Sequence, residues 1–199
     1  MSNIAILASG SGTNAENIIR YFSTRNSAKV VLVISNKREA YVLKRAATLN
    51  IKGEFFDRSD FYASGRVLQC LHDNKIDFIV LAGFLLLVPE TILERYRGRI
   101  INIHPALLPD FGGKGMFGGK VHEAVLANHE TESGITIHHV NRLYDKGEII
   151  FQARCRVEPG DTPEILASRV HELEYRYYPE VIEKLILNAD SKVRTWKED

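Results

Sequence analysis

Asn102 and His104 stand two residues apart at the end of one apolar run, Ile100-Ile101-Asn102-Ile103-His104-Pro105. On a strand, that spacing sends both side chains to one face and Ile101 and Ile103 to the other. Pro105 reinforces an extended backbone by disfavouring the helical region at His104. A side-chain amide donates hydrogen bonds and an imidazole moves a proton, so the pair is suited to polarising a carbonyl. The carboxyl end of a strand is also where α/β sheets place ligands. Taken alone, a histidine before a proline is equally a structural hydrogen-bonding residue.

A second candidate lies near the amino terminus, where Ala8-Ser9-Gly10-Ser11-Gly12-Thr13-Asn14 carries an apolar run through glycines into a helical pattern. Free backbone N-H groups and the positive end of a helix both favour an anion, and glycine lets the backbone come close to it. Gly10, Gly12 and Ala15 fit a dinucleotide fingerprint weakly, yet the second strand ends in Ser35-Asn36-Lys37. A dinucleotide site wants an acid there for the ribose, so a phosphate monoester suits the turn better than a pyrophosphate. The alternative is a tight turn without ligand, capped by Thr13 or Asn14.

The elements that must hold these residues alternate short apolar runs with amphipathic stretches, the pattern of βαβ units in a mainly parallel α/β sheet. Strands are expected over Ile4–Ala8, Lys29–Ser35, Gly53–Phe56, Phe78–Ala82 and Ile100–Ile103, with helices over Asn14–Phe22, Tyr41–Leu49 and Phe61–Asn74. Pro105, Pro109 and the glycines at 112, 113, 115, 118 and 119 predict irregular backbone, the longest loop in the chain. Its place beyond a strand end favours a functional role. Gly134–Val140 and Glu148–Val157 read as two antiparallel strands around a turn at Asp145-Lys146-Gly147. Pro163 opens a long helix to about Asn188, and Asp190–Asp199 is a polar tail expected to fray. No repeat or linker interrupts the chain, so one domain spans 1–199.

Composition narrows the partners. The chain has 199 residues, of which 26 Lys and Arg nearly cancel 25 Asp and Glu, leaving a formal charge of +1. That balance gives no reason to expect nucleic acid or an anionic membrane. Cys70 and Cys155 lie far apart without metal-site spacing and read as buried thiols in a reducing compartment. The opening residues lack the pattern of a signal peptide, and Phe84–Pro89 is too short to span a bilayer, so a cytoplasmic address is expected. His72, His122, His129 and His171 lack metal-ligand spacing, and no metal is expected.

Ser9-Gly10-Ser11-Gly12-Thr13-Asn14, Leu81-Ala82-Gly83-Phe84, Asn102-Ile103-His104-Pro105-Ala106-Leu107-Leu108-Pro109 and Asp145-Lys146-Gly147 occur in the order seen in folate-dependent formyltransferases. Over essentially its whole length the chain resembles that family's phosphoribosylglycinamide formyltransferases. The resemblance implies a Rossmann-like sheet with helices on both faces and antiparallel C-terminal strands. It implies a phosphate- and nucleotide-binding half over 1–99 and a catalytic and folate-binding half over 100–189. The implied reaction carries the formyl group of 10-formyltetrahydrofolate to the amine of glycinamide ribonucleotide, by a monomer or homodimer.

By this resemblance Asn102 steadies the formyl oxygen and His104 donates a proton, while Asp145 raises the histidine's pKa and orders water. Gly12, Thr13 and Asn14 hold the substrate phosphate, and Glu174 meets the glycinamide end. Leu85, Leu86, Leu87 and Val88, together with Asn102, Asn141, Arg142, Leu143, Tyr144 and Asp145, form the folate side. His138 falls nearer the site than His139. Leu86 stands where many relatives have arginine, and the loop around Lys114-Gly115-Met116-Phe117 is longer than usual, which suggests a mobile lid. The rival reading is formyl transfer to another amine. Methionyl-tRNA enzymes share the core but add a C-terminal domain, whereas here only residues 190–199 follow the last expected helix.

Overall fold

In a computed structural model the backbone is described over residues 1–195 and the side chains over residues 1–188. Strands β1 (Ser2–Leu7), β2 (Ala28–Ser35), β3 (Lys52–Phe55), β4 (Phe78–Leu81), β5 (Ile100–His104), β6 (Glu132–His139) and β7 (Ile149–Arg156) form one sheet. Its order is β3-β2-β1-β4-β5-β6-β7. Pairing is parallel from β3 to β5, then antiparallel through β6 and β7.

Alternation along the strands builds two cores. Ile4 and Ile6 of β1, Val80 of β4 and Ile101 and Ile103 of β5 face helices α1 (Thr13–Phe22), α2 (Tyr41–Thr48), α6 (Gly119–Ala127) and α7 (Pro163–Thr195). Ala5, Leu7, Ile79 and Ile100 face the other way, against α3 (Arg58–Tyr62), α4 (Arg66–Asp73) and α5 (Glu90–Arg95). The chain runs from β1 towards β3 and then returns to β4 on the other side of β1. The carboxyl ends of β1 and β4 therefore flank the point where strand order reverses, which is where open α/β sheets bind ligands.

Tyr178 ties α7 to that point. It is fully buried, and its hydroxyl donates to the Leu81 carbonyl at 2.8 Å and lies 3.4 Å from that of Ile101. One residue further on, Pro179 sits inside α7. Having no N-H, it leaves the Tyr175 carbonyl without its helical partner. Asn17 of α1 takes that carbonyl at 2.8 Å, so a helix defect becomes a docking contact.

Several boundaries differ from those the sequence predicts. The helix expected over Phe61–Asn74 is two helices, because an Asp57–Asp60 capping box starts α3 early and Gly65 breaks the path in left-handed backbone. The stretch after Pro109 is irregular only as far as Gly118, and then α6 begins. α5 is one short additional helix. α7 continues to Thr195 in place of an end near Asn188, so residues 190–195 of the expected tail are helical and 196–199 lie outside the described residues. Cys70 and Cys155 are half-buried rather than fully buried. Among the described residues no helix is long and apolar enough to cross a membrane, and no group of three or more His, Cys, Asp or Glu is placed to hold a metal.

Candidate active site

A cleft of about 550 Å³ opens over the carboxyl ends of β1, β4 and β5. One wall is the turn Gly10–Asn14, and another is Asn102–Pro105 with Asp145. The strap Gly113–Gly119 and the side chains of His122, His171 and Glu174 complete it. The phosphate-type turn and the Asn-x-His pair, 90 residues apart in sequence, thus share one cavity.

The turn owes its shape to Gly12, which caps α1 in left-handed backbone at φ 77° without any side-chain cap. A Cβ at this position would stand 2.4 Å from Val42 Cγ2, so only glycine lets α2 pack so closely. With no cap, the first N-H groups of α1 have no side-chain acceptor. Thr13 and Asn14 are not capping residues. Asn14 instead donates through Nδ2 to Glu174 Oε2 at 2.9 Å, while its buried Oδ1 has no partner. Ser9 steadies the neighbouring wall: its hydroxyl lies 2.5 Å from Asn36 Oδ1 and accepts the Leu85 N-H at 3.0 Å.

The reaction-type residues are brought together by the antiparallel end of the sheet. Register places Asn102 opposite His138 and His104 opposite Thr136. The turn carrying Asp145 folds back because Gly147 passes hard against β6; a Cβ there would be 1.6 Å from the His139 carbonyl oxygen. Asp145 Oδ2 then accepts the Gly113 N-H at 2.9 Å and stands 3.6 Å from His104 Nδ1.

Tautomers follow from the acceptors. His104 Nε2 lies 2.7 Å from the Phe111 carbonyl, which can only accept, so that nitrogen carries the hydrogen. Its Nδ1 is left facing Asp145. His138 Nδ1 likewise donates to the His139 carbonyl at 2.9 Å, so its Nε2 accepts from Asn102 Nδ2 at 3.1 Å. Asn102 Nδ2 is also 3.5 Å from Asp145 Oδ1. The amide hydrogens of Asn102 therefore point to where His138 and Asp145 meet.

Electrostatics set the resting state. Burial pushes His104 below its ordinary pKa, outweighing Asp145 and the Phe111 carbonyl, which both favour the charged ring. The family resemblance implies that Asp145 raises the His104 pKa; Asp145 does act in that direction, but desolvation is larger, so the net shift is downward. Burial also works to raise Asp145, yet His138 and His104 in their protonated forms, together with the Gly113 N-H, hold it below its usual value. Glu174 is only 5% exposed, and burial raises its carboxyl against the pull of Asn14 and His171. It is not a solvated helix residue.

The expected folate residues divide. Leu85 and Tyr144 line the cleft with Asp145. Leu86 packs half-buried on the sheet, Leu87 offers its carbonyl to the Tyr62 hydroxyl at 2.7 Å, and Val88 is core. Asn141 and Arg142 line a separate depression of about 400 Å³ floored by Leu93, Ile100 and Val140. Arg142 pairs there with Glu90 on the surface. Leu143 is 64% exposed and lines neither cavity. Pattern reading gives no role to His122, His171 or the Phe111 and Gly113 backbone. Their only signal is proximity, which the fold supplies.

Comparison with known proteins agrees in kind. The family model described as formyl transferase matches residues 2–182. The chloroplastic phosphoribosylglycinamide formyltransferase of Arabidopsis thaliana is 38% identical over 98% of this chain and 68% of its own length. The phosphoribosylglycinamide formyltransferase of Bacillus subtilis is 34% identical over 94% and 95%. The crystal structure of the Bacillus halodurans phosphoribosylglycinamide formyltransferase superposes with a TM-score of 0.84 at 38% identity, over 94% of this chain and 97% of that one. Cleft, sheet order and near-complete alignment converge, and the chain belongs to the formyl transferase family, with the phosphoribosylglycinamide formyltransferases.

Proposed function

We propose that this protein transfers the formyl group of 10-formyltetrahydrofolate to the amine of glycinamide ribonucleotide, a step of purine biosynthesis. The observation that carries the reading is the single cleft that joins an uncapped helix start to Asn102, His104 and Asp145. A substrate with a phosphate at one end and an amine at the other fits that layout. The half 1–99 supplies the Gly12–Asn14 anion turn, and the half 100–189 supplies the reacting groups and the folate wall.

Gly12, Thr13 and Asn14 would bind the phosphate through backbone N-H groups at the start of α1. Glu174, held by Asn14, would receive the amine end. Its burial disfavours a negative charge that Asn14 and the more distant His171 only partly offset, and a nearby amine would add a further partner. Of the expected folate residues, Leu85, Tyr144 and Asp145 line the cleft and would face the donor's flat ring. Leu86 offers no charge to the donor's glutamate tail.

Asn102 sits where a formyl oxygen can take over its long 3.5 Å contact to Asp145 and receive an amide hydrogen as negative charge develops. The new C-N bond forms from the substrate amine, the old bond to the folate nitrogen breaks, and one amine hydrogen ends on that nitrogen. His104, neutral at rest, accepts the proton at Nδ1 beside Asp145 and returns it to the leaving nitrogen. In its charged form the ring donates to the Phe111 carbonyl through Nε2 and faces the Asp145 carboxylate, 3.6 Å away, through Nδ1.

Incubating the protein with 10-formyltetrahydrofolate and glycinamide ribonucleotide, with other amines as controls, tests the reading. Formylated nucleotide is expected from the unmodified protein, and His104→Ala is expected to lose turnover while keeping nucleotide binding. Absence of formylated nucleotide from the unmodified protein sinks the proposal.

A further inference from the structure

We propose that Lys114, carried on the glycine-rich strap, is the cation that neutralises the substrate phosphate and so selects phosphorylated over unphosphorylated acceptors. This rests on the reading above, in which the phosphate occupies the Gly12–Asn14 turn.

The charges around the cleft require such a group. Its lining contains two carboxylates, Asp145 and Glu174, and a single lysine or arginine, Lys114, among the described residues. A phosphate monoester carries close to two negative charges, and a helix start contributes only about half a positive one. Without a further cation the dianion would enter a cleft whose fixed charge is negative. Arg45, beside the turn, is committed elsewhere: it donates to the Ser11 carbonyl at 2.9 Å and pairs with Glu16, and it does not line the cleft. Lys120 lies over the Phe117 ring.

Lys114 is free. It is exposed and makes no hydrogen bond or ion pair among the described residues. An unpaired lysine on the rim of a negatively charged cleft is a point charge awaiting an anion, and its flexible stem suits that task. Gly112, Gly113 and Gly115 surround it, so the strap has few side chains to anchor it at that point. Just upstream the strap is tied to the reaction centre. The Phe111 carbonyl accepts from His104, and the Gly113 N-H donates to Asp145. Lys114 thus follows directly on the two residues that fix His104 and Asp145, and a phosphate held by Lys114 would also draw the strap onto them.

The test compares glycinamide ribonucleotide with its dephosphorylated nucleoside, using the unmodified protein, Lys114→Ala and Lys114→Arg. For the phosphorylated substrate, Lys114→Ala is expected to lower kcat/KM about tenfold or more, mainly through KM. The nucleoside should react equally with both, and Lys114→Arg should recover most of the loss. An equal fall on the two substrates would assign the residue a structural role, and no fall would remove it from the site; either overturns the proposal. Calorimetric binding of ribose 5-phosphate gives a second readout that needs no formyl transfer. Binding about tenfold weaker in Lys114→Ala supports the assignment even if the acceptor is another amine. Equal binding, or none by the unmodified protein, refutes it.

Discussion

Replacing Asp145 by Asn isolates the charge beside His104, because the new side chain keeps the size and can still accept the Gly113 N-H. Asp145 and His104 Nδ1 are 3.6 Å apart, with side chains only 11% and 4% exposed. At an effective dielectric constant of about 20, a full ion pair at that distance is worth about 4–5 kcal/mol. Only the part that develops between the resting state, with His104 neutral, and the transition state lowers the barrier. If half to all of it develops, kcat falls by a factor of about 50 to 2,000, since about 1.4 kcal/mol is tenfold. KM for the nucleotide should change little. The pH profile supplies a second check. Asp145 favours the imidazolium, so its loss lowers the His104 pKa further, and the acid limb of kcat/KM moves to lower pH. The assay is a steady-state pH series of both proteins with the two substrates. A kcat within about threefold of the unmodified enzyme, or an acid limb moved to higher pH, refutes the assigned role of the pair.

Two further outcomes are expected. Gly147→Ala puts a methyl group into the His139 carbonyl, so the Asp145 turn must shift; activity should fall more than tenfold and stability by about 2–4 kcal/mol, read by denaturant titration with circular dichroism. His122 is 2% exposed and, chiefly through burial, its pKa is pushed down to about 4. The unfolded chain therefore binds a proton that the folded one refuses as pH falls from about 6.5 to 4, and stability drops with it by about 3 kcal/mol; His122→Gln should flatten the slope of urea midpoints across that window.

Much of the site was readable because its parts obey local rules. The strand-glycine-helix turn and the Asn-x-His spacing are each set by backbone geometry within a few residues, and the apolar runs mark the parallel strands. What escaped depends on distant segments. Whether Asn102 meets His138 is decided by the β5–β6 register, which no local pattern states. Whether Glu174 is buried depends on α7 docking against α1. The charge of Asp145 beside His104 is implied only by the family resemblance, since the residues alone mark Asp145 as a turn residue, and neither shows the depth of burial that outweighs it. α5 and α6 lack side-chain caps, and glycine-rich sequence leading into α6 argues for loop until tertiary packing overrides it.

The proline inside α7 has a consequence for how such an enzyme could be made sturdier. Asn14–Glu174 and Asn17–Tyr175 are two rungs between the same pair of helices, one turn apart on α1. The second rung exists because Pro179 denies Tyr175 a partner within its own helix. Any change that heals the helix, the first substitution a stability engineer would choose, would offer the Tyr175 carbonyl a competing bond. α1 would then be freer to rotate, and with it the start of the helix that faces the anion. Rigidity within one element and alignment between two are here in opposition, and the protein keeps the alignment.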